Sequence, residues 1–175
     1  MDYKGYNIAM HEFGHNVEQT ISLYDVDYYI LEGVPNTGFT EALAFIFQKR
    51  DLAVLDNKFK MESNNKLALD NLWSAYEIMG VSLVDIYVWQ WLYANPNATV
   101  EELKEAVITI AKDVWNKYYA DVFGVKDEPI LAIYSHMILY PLYLPAYPIG
   151  QIIEFQLEEH LQGKSFADEV YRIFK

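Results

Sequence analysis

The chain has 175 residues, 53% hydrophobic and 16% aromatic, which suits one folded domain with a real core and excludes a disordered chain. A formal net charge of -12 argues against nucleic acid and anionic membrane surfaces as main partners. With no cysteine, disulfides, thiolate metal ligands and cysteine nucleophiles are excluded, and no compartment is indicated. No apolar run reaches the ~18 residues that a membrane helix needs. The segment from Ile130 to Ile153 is broken by His136 and by Pro141, Pro145 and Pro148. No basic, apolar and small-residue leader opens the sequence, so no signal peptide is expected in it.

Helical periodicity runs through almost the whole chain. A first helix is expected from Tyr3 to about Leu23. A loop with Gly33, Pro35, Asn36 and Gly38 as breakers follows. A second helix should begin between Thr37 and Thr40 and run through TEALAFIFQKRDLAVL to Leu55. A third should cover roughly Ser63 to Tyr93, with Gly80 as a point of bending or division and Asn95-Pro96 as its stop. Thr99 and Glu102 predict a capping box. Behind it Val100, Leu103, Val107, Ile110 and Val114 form one expected buried stripe, and Gly124 closes the element. A helix from about Glu128 to Leu139 should lead into the loop YPLYLPAYPIG, because prolines so dense break a regular helix. Helix should resume at Gly150 and stop at Gly163, and Ser165 with Asp168 should cap a last short helix. The expected architecture is all-α, a single helical domain over residues 1–175 with no strand pair.

The chemistry concentrates in HEFGH. His11 and His15 are four apart, so on a helix they share one face with about 5–6 Å between Cβ atoms. Both can reach one ion, and imidazole suits Zn²⁺. Glu12 is turned about 100° from His11, which places it beside the ion's water rather than on the ion. That is the position of a general base in metal-assisted hydrolysis. A catalytic zinc takes three protein ligands. Without cysteine the third is expected to be a carboxylate, from Glu18, Glu32 or Glu41. Glu18 is rotated off the histidine face and Glu32 lies in the loop. Glu41 opens an apolar helix, TEALAFIF, that should pack on the first, so Glu41 is the expected ligand. His160 in LEEHLQG belongs to no motif and reads as a surface residue.

HEFGH, followed by Glu41 in GVPNTGFTEALAF, resembles the gluzincin peptidases, and more narrowly the thimet oligopeptidase and oligopeptidase F family. PNTGFTEA is also similar to the corresponding segment of the angiotensin-converting enzyme family. The resemblance implies zinc held by His11, His15 and Glu41, with Glu12 catalytic. A second matching region is SHMILYPLYLPAYPIGQ. There Tyr143, Tyr147 and Gly150 match the family's spacing, and the resemblance implies substrate contact by Tyr143 and Tyr147, and by His136 if one residue is inserted before Tyr143. Family members carry a large helical portion ahead of the zinc helix. The sequence is therefore expected to be a fragment or truncated relative of a longer chain, completed by a missing N-terminal domain or by a homo-oligomer. The expected function is zinc-dependent hydrolysis of peptides. The alternative is a catalytically weak or inactive metal-binding helical interaction domain that lacks half of its cleft.

Overall fold

Asp2 caps the first helix, its Oδ1 accepting from the Gly5 amide at 2.8 Å, and α1 then runs over Tyr3–Tyr24. In this computed structural model, residues 2–33, 35–54 and 64–175 are described. Among them the fold is all-α, with no strand. The expected end of the second helix at Leu55 and the expected start of the third at Ser63 lie outside the described residues. No helix among the described residues is long and apolar enough to cross a membrane.

The chain forms two compact units. The first comprises Met1–Leu67 with Ile149–Lys175, and the second Ala68–Pro148. In the first unit α1 packs on α2, Thr37–Gln48, whose N-cap Asn36 accepts from the Gly38 amide at 2.9 Å. Contacts run in opposite senses along the pair. Asn7 meets Gln48, His11 meets both Gln48 and Glu41, and His15 meets Glu41. The two helices are therefore antiparallel.

The second helix ends earlier than its apolar pattern predicts. It stops at Gln48, and a separate turn, α3, covers Asp51–Val54. Tertiary bonds converge on this break. Tyr6 donates to the Asp51 carbonyl at 2.9 Å, and Asn7 Nδ2 donates to Asp51 Oδ2 at 2.7 Å. Propensity at Lys49 and Arg50 would continue the helix, but these long-range bonds fix the chain in another path. The unit closes with the later part of α8, Ala146–Leu161, and with α9, Phe166–Phe174. Leu43, Ile46, Leu161 and Val170 form its apolar centre, with Val17, Phe47, Leu157, Phe166 and Phe174 around them. Lys49 pairs with the buried Glu154, and Arg50 holds Glu158 bidentately, tying the end of α2 to α8.

The second unit is built on α4, Asn64–Ala94, and α5, Val100–Tyr118. Val81, Val84 and Val88 recur on one face of α4 and share a core with Ala111, Val114 and Trp115 of α5. Gly80 does not divide α4. A Cβ there would overlap the Tyr119 ring, whose hydroxyl donates to the Tyr76 carbonyl, so Gly80 makes room for a side chain. The capping box at Thr99 and Glu102 forms as expected. The stripe behind it is shorter than expected: Val100, in the first turn of α5, is 78% exposed. The short α6, Ala120–Phe123, follows α5, and Gly124 ends it in the left-handed conformation at φ 71°.

The expected helix from Glu128 to Leu139 is instead a 3-10 turn, Ile130–Ala132, and one turn of helix, α7, His136–Leu139. Side chains of α4 hold this stretch and the loop after it by their backbone. Trp89 Nε1 donates to the Met137 carbonyl at 2.8 Å, Ser82 Oγ donates to the Leu144 carbonyl at 3.0 Å, and Asp85 accepts from the Leu142 and Leu144 amides. The final helices also differ in detail from expectation. α8 begins at Ala146, before Gly150, because Pro148 falls in its first turn, where a missing N–H costs nothing. Ser165 occupies the N-cap of α9 but makes no side-chain capping bond.

Candidate metal centre

One face of α1 carries Asn7, His11, Gly14, His15 and Glu18, and one face of α2 carries Glu41, Phe45 and Gln48. Both sets follow helical spacing, so packing the two helices brings the histidines onto Glu41. His11 Nε2 lies 3.2 Å from His15 Nε2 and 3.4 Å from Glu41 Oε2. His15 Nε2 lies 3.8 Å from Glu41 Oε1. The three ligand atoms lie within 4.8 Å of one another, and Glu41 is 1% exposed. Glu18 lies on the histidine face, since i+3 from His15 is the same side of a helix, and not off it as expected; even so, neither Glu18 nor Glu32 belongs to this group.

These separations suit a small tetrahedral ion. Ligands at about 2.1 Å from such an ion stand about 3.4 Å apart. The donor chemistry fits as well, since two imidazole nitrogens and one carboxylate are a set that zinc accepts while keeping a fourth position open. Burial holds the His15 imidazole below its ordinary pKa, with Glu41 opposing in part. The ring is therefore neutral at neutral pH and has a lone pair to give. The Phe45 ring packs at 5.1 Å from that of His11 and shields one side. Glu12 is exposed, beside the group and not in it, as its rotation on the helix requires.

Two glycines set how closely the helices approach. At Gly14 an added Cβ would sit 2.6 Å from Ala44 Cα, and at Gly150 it would sit 2.6 Å from Glu41 Cβ. Gly150 is thus a helical residue packed against the third candidate ligand, not part of a loop.

The other candidates lie in the second unit. Tyr143 and Tyr147 pack edge to face with ring centroids 5.6 Å apart, and Tyr147 also borders the apolar core. His136 stands 5.8 Å from the Tyr140 ring. Asp85 fixes the loop that carries the two tyrosines. Burial pushes its carboxyl above the usual range, and the two backbone amides and His136 counter that in part. His160 is exposed on α8 as expected, but it is not isolated. It meets Glu169 at 2.7 Å, with Lys164 and Arg172 adjacent.

Asn7, Gln48 and Asp51 stand behind His11, and Ser82 and Asp85 hold the tyrosine loop; none of the five belongs to a motif. A signal existed for both groups. Asn7 is one helical turn before His11, Gln48 is two turns after Glu41, and Ser82, Asp85 and Trp89 share one face of α4. Comparison of the chain with protein-family models, curated proteins and solved structures finds no match.

Proposed function

We propose that the chain is the catalytic domain of a zinc-dependent peptidase, of the kind that its motifs resemble. The observation that carries this reading is the approach of His11 Nε2, His15 Nε2 and the Glu41 carboxylate to within tetrahedral ligand spacing. Zinc bound there would polarise a peptide carbonyl and lower the pKa of a water to about 7. Glu12, exposed on the same helical turn, would accept the proton of the attacking water and return it to the leaving amine. The buried Glu41 would be the third ligand and would offset the charge of the ion. The resemblance assigns Tyr143, Tyr147 and His136 to substrate contact. A phenol O–H is a suitable donor to a carbonyl oxygen that gains negative charge.

Metal analysis of never-chelated protein, with cleavage of a quenched peptide by wild type and by Glu12→Gln, tests the proposal. The expected result is about one zinc per chain in both proteins and cleavage in wild type alone. Zinc without Glu12-dependent cleavage would favour the metal-binding interaction domain. Failure to take up zinc at neutral pH would sink both readings. Tyr147→Phe should lower cleavage without lowering zinc content.

A further inference from the structure

A polar relay runs behind His11, away from Glu41. Asp51, 3% exposed, accepts at Oδ2 from Asn7 Nδ2 at 2.7 Å. Asn7 Oδ1 accepts from Gln48 Nε2 at 2.6 Å. Gln48 Oε1 then faces His11 Nδ1 at 3.1 Å.

The direction of this relay follows from its end. An ionised carboxylate only accepts, so the amide group of Asn7 that faces Asp51 must be its NH₂. The Asn7 oxygen therefore faces Gln48 and demands the Gln48 NH₂. The remaining end of Gln48, its oxygen, meets Nδ1 of His11 and can be satisfied only by a proton there. A neutral imidazole carries one ring proton, so Nε2 is left with its lone pair. Nε2 is the atom that faces His15 and Glu41.

We propose that Asp51, Asn7 and Gln48 form a relay that fixes His11 as its Nδ1–H tautomer and so presents Nε2 as a metal ligand. Gln48 is a positioning residue, with Asn7 and Asp51 setting its orientation. This rests on the metal-site reading above, but its central claim concerns the metal-free protein and is measured there. Asp51 in particular touches neither the ion's position nor a ligand, yet sets the proton on His11 through two amides.

The test is the ring nitrogen pattern of His11 in ¹⁵N-labelled, metal-free protein at mildly alkaline pH, read by long-range ¹H–¹⁵N correlation. Wild type should carry the proton on Nδ1. Asp51→Asn keeps the shape of the side chain but removes its acceptor-only character, and should give a mixture of tautomers. Gln48→Leu should lose the preference and weaken zinc, measured against a chromophoric chelator, by about 10–100-fold. A wild-type His11 with its proton on Nε2, or a tautomer that Asp51→Asn leaves unmoved, overturns the relay and leaves the metal reading standing. An intact Nδ1–H preference in a protein that takes up no zinc overturns the metal reading and leaves the relay standing. Zinc affinity unchanged in Gln48→Leu overturns the positioning role.

Discussion

Gly14 lies so close to Ala44 that its missing side chain is a condition of the site. A Cβ would stand 2.6 Å from Ala44 Cα and 3.0 Å from the Leu43 carbonyl oxygen, both backbone atoms that cannot swing aside. Gly14, the fourth residue of the motif, therefore sets the separation of the two helices that carry the candidate ligands. Gly14→Ala should destabilise the fold by about 1–3 kcal/mol through overpacking. It should also weaken zinc binding, because any spreading of α1 from α2 carries Glu41 away from both imidazoles. Urea unfolding and zinc titration of the purified variant measure the two effects, and an unchanged unfolding midpoint would refute the close approach.

Glu41 supplies the only carboxylate in the group that could hold a metal among the described residues. Glu41→Ala should reduce zinc affinity by more than the ~10–100-fold that a supporting contact is worth. Glu32 is exposed, in the loop before α2, and Glu32→Gln should leave affinity where it is. Equal affinity in wild type and Glu41→Ala would assign the third ligand elsewhere.

The candidate ligands were legible because helical spacing fixes which side chains share a face. His11 and His15 needed only that rule, and Glu41 needed only the assumption that an apolar helix packs on its predecessor. The all-α class followed from the same periodicity. What failed was of another kind. The break after Gln48 depends on bonds from Tyr6 and Asn7 to Asp51, forty-odd residues apart, which no local pattern contains. Gly80 reads as a helix breaker until Tyr119 is seen beside it. Pro148 reads as loop unless its place in a first turn is known. Asp85 looks like an ordinary charge on α4, yet it is fully buried and holds two amides of the tyrosine loop.

Lys49 and Glu154 form an ion pair with unequal exposure, 19% for the lysine side chain and 1% for the carboxylate. Burial raises the Glu154 carboxyl, and Lys49 opposes that rise. Removing only the cation should be costly because it strands the acid. Lys49→Met is expected to destabilise by about 3–5 kcal/mol. Lys49→Met with Glu154→Leu should recover most of that loss. A double variant no more stable than the single one would mean that Glu154 is not the source of the cost.

Glu18 is 2% exposed on α1, and its Oε2 has no hydrogen-bond partner among the described residues. Burial pushes its carboxyl above the ordinary 4.5, with a hydrogen bond from Ser22 opposing. The sign of its effect on stability follows. The folded state holds the proton more firmly than the unfolded chain does, so the contribution of Glu18 is fully present below about pH 4.5. It is lost as pH rises through the folded value. At neutral pH the fold therefore carries a poorly solvated carboxylate, or a proton that the unfolded chain would release. Glu18→Gln removes that penalty. It should raise the stability of the metal-free protein at pH 7 by on the order of 1 kcal/mol, and the gain should shrink toward pH 4. Urea midpoints of both proteins across that range check it. A gain that stays constant with pH would show that the benefit comes from packing and not from the charge.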